Sequence, residues 1–217
     1  MGAIGTVDPT LAVKAKRLFE SRCVELLRWA AITLKSTKTI TPDWGEENIT
    51  ANIYTLIHES QQAIDYDIHP ECEHPFFDKD ILDNKKKAKA AVKIDLVFQQ
   101  NWEGKRHSFY VEAKNLIGAD VKKTGRKHIT KAGDVMKRYV TTGIDHYIDE
   151  YYPLGCMLGY VLYGTIAGVV DSLNDILVAN GRPTEKLVNP TGCLPWLCYQ
   201  SHHANGFQIN HYLFEFK

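Results

Sequence analysis

The sequence predicts an α/β protein, a central mixed sheet flanked by helices, built as a single domain over residues 1–217. Three observations carry this. Apolar residues recur at helical spacing in residues 9–35 and again from about Glu46. The segments "AVKIDLVF" (91–98) and "SFYVEAKNL" (108–116) alternate in the manner of strands. Helix, strand, helix and strand patterns then follow in turn to the closing "FQINHYLFEF". A hydrophobic content of 44% is ample for a packed core.

Taken in order, Leu11, Leu18, Val24, Leu27 and Ala31 form the apolar stripe of a first amphipathic helix. A Pro-Asp-Trp-Gly turn precedes a second helix whose stripe is Ile49, Ile53, Leu56, Ile57 and Ile64. Projected at about 100° per residue, Glu46 falls on that stripe and Glu47 on the opposite side. Residues 65–90, rich in acids, prolines and then lysines, read as a long polar connection. In the hairpin that follows, Ile94, Leu96 and Phe98 share one face with Phe109, Val111 and Ala113. The other face carries Lys93, Asp95 and Val97 with Tyr110, Glu112 and Lys114. Beyond a basic loop the pattern predicts a helix over 129–149, an apolar strand near 156–163, a helix to about Asn180 closed by Gly181, a loop, and strands around 194–201 and 207–216.

Equal numbers of basic and acidic residues, 26 each, remove any global charge that would announce a nucleic-acid or membrane partner. Locally the charge is polarised. Residues 65–83 hold seven acids and one lysine, whereas 120–138 hold seven Lys or Arg and two acids. Five cysteines without secreted disulfide spacing indicate a reducing, cytoplasmic setting. The opening "MGAIGTVDPT" lacks the basic start and apolar run of a signal peptide, and its loose glycine-2 acylation pattern is too short to carry weight. Residues 151–170 are uncharged over a bilayer-like length and include a GxxxG at Gly155 and Gly159. Their proline, four glycines and missing positive flanks favour a buried strand and helix, so no membrane partner is expected. Cys193, Cys198, His202 and His203 have a faintly zinc-like spacing, but the strand pattern there favours core cysteines and strand-end histidines.

Chemistry concentrates in the hairpin. Asp95, Glu112 and Lys114 project from one face of two neighbouring strands. Paired carboxylates repel, and a hard divalent cation such as Mg²⁺ removes the conflict while keeping waters and room for a phosphate. A lysine on the same face can orient a water and offset charge on a phosphorane-like transition state. An acid-x-lysine tripeptide is common by chance: Glu103-Gly104-Lys105 and Asp83-Asn84-Lys85 are others here, though both lie in turns or polar connections.

"KIDLVF" and "YVEAKNL", with sixteen residues between Asp95 and Glu112, resemble the motif of the PD-(D/E)XK nuclease superfamily, which includes restriction endonucleases. The resemblance covers about residues 46–180 and implies a restriction-endonuclease-like αβββαβ core. It implies that Asp95 and Glu112 ligate the metal and that Lys114 is the catalytic lysine. In many members a glutamate on the first core helix faces the site and joins the metal ligands; Glu46 is the choice for this catalytic and metal-binding role, with Glu47 and Glu59 in reserve. Ile94 stands where the motif often has proline. The loop "KKTGRKHITK" then places Lys122, Lys123, Arg126, Lys127 and Lys131 for phosphate contact. The expected activity is Mg²⁺-dependent endonucleolytic hydrolysis, with Mn²⁺ as substitute, of phosphodiester bonds in DNA, in a homodimer serving defence against foreign DNA. The alternatives are a catalytically silent nucleic-acid- or protein-binding module of the same fold, and a nuclease subunit that needs an activating partner.

Overall fold

The protein is seen as a computed structural model that describes residues 8–77, 79–83, 85, 87, 89, 91–149, 155–190, 198–204 and 206–216. Helix α1 (Pro9–Thr37) starts where the Asp8 carboxylate accepts the Thr10 N–H, with proline in the first turn. Its buried side runs from Phe19 to Leu34, while Leu11 and Leu18 stay exposed. Twenty-nine residues make a rod of about 43 Å, and only its later part lies on the sheet. Helix α2 (Glu46–His58) buries Ile49, Ile53 and Ile57. Ile64 is exposed because it belongs to a separate short helix, α3 (Gln61–Asp65), which Ser60 caps.

The chain then makes β1 (His69–Phe76), the turn-like α4 (Lys79–Leu82), and the hairpin β2 (Val92–Trp102) and β3 (Lys105–Ile117). Glu103 and Gly104 both take positive φ at the hairpin tip, the two-residue turn that matches strand twist. A small ribbon, β4 (Val121–Lys122) with β5 (Ile129–Thr130), precedes α5 (Ala132–Tyr139), a π-helical turn (Val140–Ile144) and α6 (Asp145–Ile148). Strand β6 (Gly155–Tyr163), helix α7 (Ile166–Ala179), a 3₁₀ turn (Pro183–Glu185), β7 (Cys198–His202) and β8 (Gln208–Glu215) complete the described chain.

Six strands form one mixed sheet in the order β1-β2-β3-β6-β8-β7. β3 and β8 flank β6 in parallel; the other pairings are antiparallel. Apolar groups cover both faces. One cluster joins α1 and α2 to Leu96, Phe98, Phe109, Val111, Ala113 and Leu158. The second joins α5 and α7 to Val97, Leu116, Met157, Val161 and Leu213. The result is an α/β architecture with helices on both sides of a mixed sheet.

Several expectations are corrected. Residues 69–76 are a sheet-edge strand rather than connection; Pro70 and Pro75 obscured it, and proline is tolerated at an edge where one side of the ladder is unpaired. Ile94 leaves the face of Leu96 and Phe98 and joins Val97 in the second cluster. Opposite it, Glu73 takes positive φ between the pairs Cys72↔Leu96 and His74↔Ile94, so regular alternation fails there. The helix expected over 129–149 begins only at Ala132 and loosens into a π turn. The strand expected at 194–201 is seen from Cys198 onward; residues 191–197, including Cys193, lie outside the described residues, as do 1–7 with the acylation pattern and 151–154. Residues 155–170 form β6 and the start of α7, and no described helix is long and apolar enough to cross a membrane.

Candidate active site

Strands β2 and β3 pair from the hairpin tip as far as Leu96↔Val111, and the ladder stops there. One residue further, the Asp95 carboxylate accepts the main-chain N–H of Ala113 at 2.7 Å. A side-chain oxygen has thus taken the place of a main-chain carbonyl, and the strands part around it. β3 meanwhile continues beside β6 through the pairs Glu112↔Met157 and Lys114↔Gly159. The divergence opens a gap in an otherwise closed sheet, and strand alternation aims Glu112 and Lys114 to one side of it.

That side is not a wet face. Glu112 is 5% and Lys114 7% exposed. The segment that follows α5 packs over the lysine stem: a Cβ on Gly143 would collide with the Met157 methyl and sit 3.9 Å from Lys114 Cγ. Glycine at 143 is what permits that approach. The Lys114 ammonium pairs with Glu112, donates to the Ala113 carbonyl at 2.8 Å, and lies 3.6 Å from Glu46 and 3.9 Å from Asp95. Three carboxylates therefore gather on one ammonium.

The electrostatic consequence is a strained charge balance. Burial, and then the neighbouring Glu112 charge, pushes the Asp95 carboxyl up to about 7, against the opposing pull of Lys114. Burial disfavours the Lys114 charge, but Glu112, Glu46 and Asp95 outweigh it and hold the ammonium protonated above its usual range.

Glu46 reaches the site from α2 on the far side of the sheet gap. It occupies the first turn of the helix, where a carboxylate is favoured by the helix dipole, and its second oxygen accepts the Asn115 N–H at 2.9 Å. Asn115 also donates to the Trp44 carbonyl at 3.0 Å, tying the turn before α2 to β3. A buried hydrogen bond of 3.0 Å between Thr50 and Tyr160 anchors the same helix to β6. Glu47 lines the outer cleft, and Glu59 caps the other end of α2, about 20 Å away along its axis.

A cavity of about 440 Å³ opens onto Glu46 and Lys114, while Asp95 and Glu112 lie behind them and are absent from its lining. Glu46, Glu47, Lys114 and Asn115 line one part, and Lys123, Arg126, Lys127 and His128 from the β4–β5 ribbon line another. Of the five basic residues expected at phosphates, these three lysine and arginine positions face the cleft; Lys122 and Lys131 are absent from its lining. Lys131 instead pairs with Asp120 at 2.8 Å at the ribbon's base, where Asp120 also accepts the Ala132 N–H. Arg138 of α5 lines the cleft too and was not singled out. Its membership of the basic 120–138 run was the available signal, but its direction depends on where α5 docks.

Elsewhere, Ser201, His203 and His211 are buried in a separate hydrogen-bonded chain, with both ring nitrogens of each histidine engaged. His203 thus has no nitrogen left for zinc. Cys23, Cys72 and Cys156 are free thiols.

Among the described residues, no three His, Cys, Asp or Glu side chains converge tightly enough to form a metal cluster by themselves. The acids are drawn onto Lys114. The donor set nonetheless fits a hard divalent cation: two carboxylates, of which Asp95 is raised by burial and then by the Glu112 charge, plus the Ala113 carbonyl, offer oxygen only. Comparison of the chain with family models, with curated proteins and with solved structures finds no match.

Proposed function

We propose that the protein is a metal-dependent nuclease of the restriction-endonuclease-like class, hydrolysing phosphodiester bonds with DNA as substrate. The observation that carries this reading is the Lys114 ammonium within 4 Å of Asp95, Glu112 and Glu46, at a cleft whose other wall is basic. The element order α2, β1, β2, β3, α5, β6 around the site supports the same class.

Asp95, Glu112 and the Ala113 carbonyl would hold Mg²⁺ or Mn²⁺, which when bound supplies Lewis-acid stabilisation of phosphate charge and a more acidic water. Lys114 holds a proton at Nζ and is placed to orient the attacking water and to neutralise charge gained by the phosphoryl oxygens. Glu46, 3.6 Å from the Lys114 ammonium, adds a carboxylate on the cleft side of it. Lys123, Arg126, Lys127 and Arg138 attract and register the phosphate backbone.

The test is incubation of purified protein with plasmid DNA and with RNA, in Mg²⁺, Mn²⁺ or EDTA. Metal-dependent cleavage that vanishes in the Asp95→Ala, Lys114→Ala double variant is expected. Cleavage that survives both substitutions overturns the site. Salt-sensitive DNA binding without turnover under any metal marks a binding module instead.

A further inference from the structure

The walls of the cleft are joined. The Asp43 carboxylate, in the turn just before Gly45 and Glu46, accepts the main-chain N–H of Thr124 at 2.7 Å across 81 residues of sequence. Thr124 lies between Lys123 and Arg126, which line the opposite wall. The ribbon is also pinned at its base, where Asp120 takes hydrogen bonds from Lys131 and from Ala132 N–H. On the other side, Asn115 holds Trp44 and Glu46 to β3. Both walls are therefore anchored, and Asp43 joins them through hydrogen bonds to the main chain and side chain of Thr124.

We infer that this cleft takes a single nucleic-acid strand, one nucleotide at a time, and that the Asp43–Thr124 bridge is what discriminates against duplex. This rests on the nuclease reading above and names its substrate class. A volume of about 440 Å³ lies within the roughly 300–1,000 Å³ of a site for one small-molecule-sized group, so one nucleotide fits. A B-form duplex is wider than its own major groove of about 12 Å, too wide for walls that the Asp43–Thr124 bridge holds together. The lining charge suits a lone strand as well. Beyond Lys114, whose charge Glu112 already meets, Lys123, Arg126, Lys127 and Arg138 face the cavity against Glu46 and Glu47, a surplus of two positive charges concentrated around one short stretch of backbone. Duplex must part the walls, which breaks the bridge, or present a frayed end.

The experiment uses the full-length protein and a labelled oligonucleotide of about 30 nucleotides, several times a typical single-strand site size, alone or annealed as a blunt duplex. Cleavage is followed in Mg²⁺ or Mn²⁺, and binding by fluorescence anisotropy in EDTA. The single strand is expected to be cut faster, and bound more tightly, than the duplex by about tenfold or more, equivalent to about 1.4 kcal/mol or more. Asp43→Ala removes the acceptor and is expected to narrow that ratio by improving the duplex, whereas Asp43→Asn, which keeps an acceptor oxygen, restores discrimination. Equal or better handling of duplex by the wild type, or an Asp43→Ala ratio equal to the wild type's, overturns the inference. Absence of cleavage with every substrate and metal defeats the nuclease reading, while the anisotropy ratio still decides the strand preference.

Discussion

Two buried polar groupings stand in this fold, and they are built on opposite principles. In the C-terminal grouping every proton has a place. Because Glu185 can only accept, His203 donates from Nδ1 and accepts at Nε2 from Ser201; Ser201 then accepts from His211 Nε2, and Tyr139 donates to His211 Nδ1. Arg182 closes the chain by donating to Glu185 and to Asp145. Burial works against the Glu185 charge, but Arg182 and His203 hold its carboxyl below the usual range. At the sheet gap, three carboxylates share one ammonium, and Asp95 is pushed up to about 7. A satisfied chain rigidifies a fold, whereas an unsatisfied concentration of like charge is tolerated where a ligand relieves it.

The largest effect that could break this contrast is on activity. Asp95→Asn and Lys114→Ala are each expected to lower cleavage by about 10³-fold, as removal of a metal ligand or a charge-stabilising donor does, measured as initial rates on plasmid. If either retains wild-type rates, the sheet gap is only structural. The converse applies to His211→Ala. It is expected to cost about 3 kcal/mol of stability in urea unfolding, by leaving the Tyr139 hydroxyl unpaired and Ser201 without its donor in the core, with activity per folded molecule preserved.

The two groupings also predict opposite responses to pH. Asp95 has a folded pKa above its unfolded value of about 4, so the native state binds the extra proton between about pH 4 and 7 and loses stability as pH rises through that window, by on the order of 4 kcal/mol. Burial lowers His203 and drives His211 down to about 3, so their contribution is present above about pH 6.5 and is lost as pH falls. In the metal-free wild type the slopes oppose each other between about pH 4 and 6.5. Asp95→Asn removes one of them: its unfolding free energy is expected to rise more steeply with pH than the wild type's, and to exceed the wild type's near pH 8. Mg²⁺ at about 100 times its dissociation constant should stabilise the wild type by about 2.7 kcal/mol at that pH and leave Asp95→Asn nearly unmoved, a difference thermal shift reads directly. The smallest expected effect is at the basic wall. Lys127→Ala should weaken DNA binding and reduce the slope of log affinity against log salt by about 1, whereas Lys122→Ala, outside the lining, should leave it unchanged.

The alternation of "YVEAKNL" and of Leu96 to Phe98 made the hairpin, its faces and the Asp95, Glu112, Lys114 set legible, because strand periodicity is a local property of the chain. Helices α1, α2 and α7 were legible for the same reason, within a few residues at their ends. Strand β1 was not: two prolines and a run of acids outweigh its weak pattern, and only pairing with β2 makes it a strand. The burial of Lys114 was not legible either, since it follows from Gly143 bringing another segment over the strand. Nor could the chain reveal that Arg138 joins the cleft while Lys131 is taken by Asp120, or that Asp43 reaches Thr124. Residue type and spacing decide what a segment can offer; which charges meet, and which are buried together, is decided by contacts between segments far apart in sequence. That is why the charged face of the hairpin was readable beforehand and the shape of the cleft around it was not.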